Sequence, residues 1–386
     1  MATLVTDRRR TFAPAVAMPR PRIRLWQAVL LSRLLVLAAG AAGALATQPV
    51  PGWQNFDPQR LSSSFGAAGN VLAASVVRWD SIAYLSVAVH GYTGAASTVR
   101  FPLYPLLIHL LAPVFGSIVL AGVVINLSAF AIGLALIHRL AREQLGSRVA
   151  DLTVLLLAFA PWSFVFACTA AAAAALTHVQ GILLVAPLAI IYFKQHGRSF
   201  DPRRLWSGQL LALALPPLAL GGFLLYLHAR GFGWLAPVTN QDMPTAARTL
   251  TGPPATLFYA VKDVFVGLGD QLAGNAPPTG GLPLGTQNCI YLVVFAVAVL
   301  ALVSTWRRLP KEYAVYGLLA ILLCSSSAVT LEPLKGFDRY MLPVFPLWIG
   351  AAAWISERRV TSAVMLLSSG MLIVDTIQFT RWISVF

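Results

Sequence analysis

Along this chain, continuous apolar runs of about 16 to 25 residues alternate with short, arginine-rich polar segments. Runs of that length predict membrane-crossing helices at ~1.5 Å per residue; the period-two alternation of a closed β-barrel is absent. The first run covers Leu25 to Ala46. Others cover Ser117–His138, Leu152–Thr169, Ala171–Phe193, Ser207–Ala229, Gln287–Thr305, Tyr313–Thr330, Met341–Ile355 and Thr361–Phe379, which makes nine crossings. The expected fold class is therefore all-α: a polytopic membrane helical bundle with loops and interfacial helices on one face.

Composition agrees. The 386 residues are 58% hydrophobic and only 11% charged, too apolar for a water-soluble core. A net charge of +14 would suggest nucleic acid in a soluble protein, but here the basic residues lie between apolar runs. With the N-terminus inside, 18 of the 28 Lys and Arg residues fall in the arm 1–24 and in the linkers HRLAREQLGSR, KQHGRSFDPRR, WRRLPKE and SERRV. That is the positive-inside asymmetry, so no nucleic-acid partner is expected. The division is a cytoplasmic basic arm, 1–24, and one transmembrane domain, 25–386. Ala44-Leu45-Ala46 looks like a signal-peptidase site, yet the preceding run exceeds the usual ~7 to 15-residue signal core and reads as an uncleaved anchor. Cys168, Cys289 and Cys324 have no CxxC spacing and read as buried small hydrophobes.

The same parity places Thr47–Gly116, Arg230–Thr286 and Leu331–Tyr340 outside. The stretch RWDSIAYLSVAVHGYTGAASTVRFPLYP, Arg78 to Pro105, gathers an acid, two arginines, a histidine and three tyrosines between apolar blocks. Ile82, Leu85 and Val89 can share the face of an interfacial helix, with Trp79 and Tyr84 suited to headgroup depth. Asp80 either caps that helix or performs chemistry; this stretch in isolation leaves both open. Pro102 and Pro105 set a rigid corner before an apolar piece too short to span. In the outer segment 230–286 a short helix is expected over Ala255–Leu268, with Asp263 and Asp270 as surface acids that are weak secondary candidates. No Gly-rich phosphate loop favours a nucleotide-driven pump, and no repeated pair of broken helices favours a transporter.

WDS-x-x-Y, HGY and FPLYP, followed late by FDRYMLPVFP and QFTRW, resemble the PIG-V-type mannosyltransferases. These are the GPI-anchor second-mannosyltransferase family and its bacterial relatives, within the GT-C membrane glycosyltransferases. The resemblance covers most of Leu25 to Trp382. It implies inverting transfer of mannose from a polyprenyl-phosphate-mannose donor to a glycan or glycolipid acceptor outside the membrane. Asp80 would act as general base on the acceptor hydroxyl. Arg339 would hold the donor phosphate, with Arg78, Arg100 and Lys335 behind it, and Trp79, Tyr92, Tyr104 and Tyr340 would line the substrate. A salt bridge to Asp338 or Glu332 is the structural alternative for Arg339. No cofactor and no metal are expected, the lipid-linked sugar phosphate being a substrate. The Ala-rich composition points to a bacterial plasma membrane with the site on its outer face.

The chain departs from the family pattern between Phe166 and Gly181. There the family's glutamate element gives way to an alanine run, and His178 stands where an arginine is usual. That suggests an internal deletion of an even number of crossings. His178 could meet phosphate only when protonated. Two further readings accompany the first: a GT-C enzyme for another sugar, and a catalytically degenerate scaffold or lipid-binding protein.

Overall fold

The computed structural model describes residues 25–63, 65–163, 179–196, 208–240, 248–275, 282–358 and 360–383. The first half runs through α1 (Leu25–Ala46), α2 (Gly66–Ala73), α3 (Asp80–His90), α4 (Leu103–Phe115), α5 (Ile118–Leu145) and α6 (Ser147–Ala158). Next come α7 (Val185–His196), α8 (Gly208–Ala229), β1 (Arg248–Leu250), α9 (Pro253–Leu272), α10 (Leu284–Arg308) and α11 (Lys311–Cys324). The chain closes with β2 (Ser327–Val329), α12 (Phe337–Met341), α13 (Phe345–Ser356) and α14 (Thr361–Thr380). The protein is thus mostly helical, and its one described sheet is the antiparallel pair β1–β2, in register Arg248 to Val329.

Four helices, α1, α5, α10 and α14, are long and apolar enough to cross a membrane. The expected nine crossings are not established: the runs Leu152–Thr169, Ala171–Phe193 and Ser207–Ala229 lie partly outside the described residues, and other runs are broken by local chemistry. The run expected from Met341 is interrupted at Pro343 and Pro346, so α12 ends at Met341 and α13 starts at Phe345 with proline in its first turn. The run from Tyr313 ends as helix at Cys324 and continues as β2. That from Leu152 stops as helix at Ala158, before Pro161. The helix expected over 255–268 is longer, Pro253–Leu272, with Asp270 exposed and Asp263 partly so.

Packing defines two ends. At one, Ala141, Val149, Leu309 and Ile355 share an apolar cluster, so three of the basic linkers meet. Arg308–Glu357, an ion pair at 2.6 Å, ties two of them together, and His138 Nε2 meets Asp151 Oδ1 at 2.9 Å across the third. At the other end β1–β2 joins the segment before α9 to the turn before α12, and α2, α3 and α4 pack over α5 through Ile82, Leu85, Tyr104 and Ile108. Within α3, Ile82 and Leu85 are buried as the pattern predicts, whereas Val89 is exposed and Ala88 takes the inward place.

α10 and α13 cross at near backbone contact. Ser304 Oγ donates to the Gly350 carbonyl (2.6 Å), and Thr305 Oγ donates to the Pro346 carbonyl (2.9 Å). Small residues and interhelical hydrogen bonds are how helices associate where burial from water gives little drive. A Cβ on Gly350 would lie 2.2 Å from Thr305 Oγ and 2.7 Å from the Ala301 carbonyl. Gly350→Ala is therefore expected to destabilise by roughly 1–3 kcal/mol, read as a lower detergent melting temperature. An unchanged melt would show that the helices part freely.

Candidate active site

Asp80 is the first residue of α3, after Trp79, whose φ of 49° and ψ of −119° lie outside the regions a large side chain favours. Strain of this kind persists only where surrounding contacts enforce it. Here the Trp79 ring packs on Phe56 (centroids 4.6 Å apart) and Trp382 (6.1 Å), which turns the chain so that Asp80 faces the loop and α12.

Two guanidinium groups meet its carboxylate. Arg100 Nη2 donates to Oδ1 at 2.9 Å and Arg339 Nη1 to Oδ2 at 2.8 Å. The partners come from segments 20 and 259 residues away. The Asp80 side chain keeps 33% exposure, while those of Arg100 and Arg339 keep 11% and 25%. Two cations around one anion leave the cluster with a surplus positive charge beside an accessible carboxylate.

Each arginine is braced. The loop carrying Arg100 is tied by Tyr92, whose hydroxyl donates to the Arg100 carbonyl at 2.6 Å while its ring lies against Phe223 and Tyr226 of α8. Burial raises the Tyr92 phenol above its ordinary range, so it stays a donor at neutral pH. Thr98 fastens the same loop to the turn at Ala236 and Asn240. Arg339 leans over the Tyr340 ring (5.1 Å), and its Nη2 donates to the Tyr340 hydroxyl at 3.3 Å. Gly336, with φ 77°, opens α12, and a Cβ there would come within 3.3 Å of both Arg339 Nε and Tyr340. Only glycine suits that turn.

The Arg339 guanidinium thus bonds Asp80, while the Asp338 carboxylate accepts the Arg339 backbone N–H at 2.7 Å. Burial pushes the Asp338 carboxyl up to about 7, against that amide. Its Oδ2 is buried without a hydrogen-bond partner among the described residues. The folded form therefore holds a proton that the unfolded chain, near ~3.9, releases earlier. Stability from this residue is complete below about pH 4 and is lost as pH rises through about 7. Asp338→Asn keeps an acceptor for the amide and is expected to flatten the fall in melting temperature between about pH 4 and 7. A slope identical to the parent's would place the titration elsewhere.

Other expected site residues lie apart from Asp80. Lys335 Nζ pairs with Glu332 at 2.6 Å, within its own turn. Arg78 donates to the Thr380 carbonyl at 3.3 Å and the Val77 carbonyl at 2.7 Å, and stacks over Trp382. Tyr104 receives Asn126 Nδ2 at 2.7 Å and meets Tyr84 edge-on at 5.4 Å, supporting α3 from below. His178 lies outside the described residues. Arg248 joins the site without having been foreseen: its guanidinium lies 5.9 Å over the Tyr340 ring, and Nη2 donates to the Lys335 carbonyl at 3.0 Å. Three-residue strands give too little pattern to announce the pairing that brings it there.

Beneath Ser81, the neighbour of Asp80, a recess of about 140 Å³ opens among α1, α3, α4 and α5. Val36, Leu85, Val123 and Phe130 make it largely apolar, with Ser81, Tyr104, Asn126 and Arg33 as polar points, the Arg33 guanidinium donating to Ser163 and the Ala158 carbonyl. The fold and site define a class: a helical membrane protein with a composite acid–arginine centre at one end. Compared with family models, curated proteins and solved structures, the chain gives no match.

Proposed function

We propose that this protein is a membrane glycosyltransferase of GT-C type. It would move mannose from polyprenyl-phosphate-mannose to a hydroxyl of a glycan or glycolipid on the outer face, with inversion at the anomeric carbon. The observation that carries this reading is the bridging of Asp80 by Arg100 and Arg339 at a surface open to substrate. Transfer to an alcohol needs a base for the hydroxyl proton and cations for the departing phosphate, and the cluster holds both.

In the resting arrangement the arginines occupy the carboxylate oxygens. An arriving phosphate competes for those donors, since planar guanidinium forks suit phosphate as well as carboxylate. Its binding takes up the surplus positive charge and releases Asp80 oxygens towards the acceptor. The acceptor O–H then gives its proton to Asp80, its oxygen forms the new bond to the sugar's anomeric carbon, and the C–O bond to phosphate breaks with the electron pair leaving on phosphate. Arg100 and Arg339 stabilise that charge as it develops. The apolar recess under Ser81 suits an isoprenoid chain. The same cluster would serve other prenyl-phosphate sugars, mannose resting on the motif resemblance alone.

The experiment is label transfer in membranes expressing this chain, supplied separately with polyprenyl-phosphate-mannose, polyprenyl-phosphate-glucose and a nucleotide sugar. Incorporation from a prenyl-phosphate sugar supports the reading. Incorporation from the nucleotide sugar alone, with a prenyl-phosphate synthase inhibitor present, contradicts it. Silence with every donor would favour a scaffold that has lost its chemistry.

A further inference from the structure

A second cluster of cations lies away from Asp80. A cavity of about 190 Å³, far more than the roughly 10–15 Å³ one water needs, is lined by Gly43, Thr47, Asn70, Arg78, Thr380 and Arg381 among others. None of Asp80, Arg100 and Arg339 lines it. It sits where two candidate spans, α1 and α14, end side by side, since a Cβ on Gly43 would lie 3.3 Å from the Ile377 backbone.

Among the described residues neither Arg78 nor Arg381 takes part in an ion pair, and Arg381 Nε is buried without a hydrogen-bond partner. The field of Asp57 reaches Arg78, but its oxygens accept from the Leu61 and Ser62 amides and the Ser62 hydroxyl instead. Arg78, only 8% exposed, is fixed by its two carbonyl bonds and by the Trp382 ring at 5.0 Å. Behind Arg78, Trp53 stacks on Trp382 with centroids 5.6 Å apart, and tryptophan clusters favour headgroup depth.

We propose that this cavity binds the phosphate ester of a membrane lipid, held by Arg78 and Arg381 at the level where α1 and α14 leave the bilayer. Guanidinium groups are the preferred partners of phosphate oxygens, and the apolar lining of Ala44, Val71 and Ala74 fits the glycerol or first methylenes. The site is independent of glycosyl transfer at Asp80.

The test uses full-length protein in a neutral, phosphate-free detergent and its tryptophan fluorescence, Trp382 being in contact with the cavity residue Arg78. It is titrated with dioctanoyl phosphatidylglycerol, with dioctanoylglycerol and with inorganic phosphate. Saturable binding of the phospholipid is expected, with dioctanoylglycerol inert and inorganic phosphate much weaker. Arg381→Gln should weaken phospholipid binding at least about 10-fold, Arg381→Lys should weaken it less, and Arg139→Gln, at the far end, should leave it unchanged. Matching melting temperatures verify folding. Inorganic phosphate binding as well as the phospholipid would overturn the lipid assignment. Equal phospholipid binding by parent and Arg381→Gln, or no saturable change, would overturn the site.

Discussion

Asp80→Asn is expected to lower sugar transfer at least about 100-fold at matched protein level, the low end of a general-base contribution. The substitution keeps size and shape but removes basicity, so the acceptor hydroxyl meets no group that can take its proton. It also leaves Arg100 and Arg339 with one carbonyl oxygen between them and an NH₂ facing the other guanidinium. That local repulsion is tolerable because the Asp80 side chain is one-third exposed and water screens the pair. The melting temperature should accordingly move little compared with the activity. Transfer surviving at the parent rate would reduce Asp80 to an anchor for the two arginines.

Arg339→Gln is expected to cost about 10²- to 10³-fold in kcat, the usual effect of removing one donor from a preorganised charge-stabilising set. Its fork reaches Asp80 with Nη1 and the Tyr340 hydroxyl with Nη2, the plane in which the proposed phosphate would be met. Arg339→Lys keeps the charge but not the two-pronged geometry and should recover only part of the loss. Lys335→Gln supplies the contrast: its ammonium is paired with Glu332, and the variant should retain near-parent kcat. A loss in Lys335→Gln equal to that in Arg339→Gln would mean that charge, not position, governs the site.

Much of this arrangement was legible in the sequence. Apolar runs located α1, α10 and α14 to within a few residues, because nothing inside those runs competes with the helix, while α5 continues past His138 through the basic linker to Leu145. Where prolines or serines intervened, as at Pro343, Pro346 and Ser325 to Ser327, hydropathy alone overestimated helix length. Asp80, Arg100 and Arg339 were each singled out on the motif resemblance, but their pairing with one another was not, the expected salt-bridge partners of Arg339 being Asp338 and Glu332. What the pattern could not supply was direction. Arg78 and Arg339 are equally basic in sequence, yet the turn at Trp79 sends Arg78 to Thr380 and Asp80 to Arg339. Asp338 is another instance: it is buried where α12 packs on α10 through Phe337 against Phe295, which local composition does not reveal.

The central claim, that Asp80 is a base working beside a phosphate held by Arg100 and Arg339, is met most directly by one paired measurement. Equilibrium binding of a polyprenyl phosphate and transfer from its mannosyl ester are measured on the parent and Asp80→Asn proteins. The account predicts that the variant binds the prenyl phosphate at least as tightly as the parent, two guanidinium groups having been freed, while its transfer falls about 100-fold or more. Binding and transfer lost together, or both retained, would contradict it.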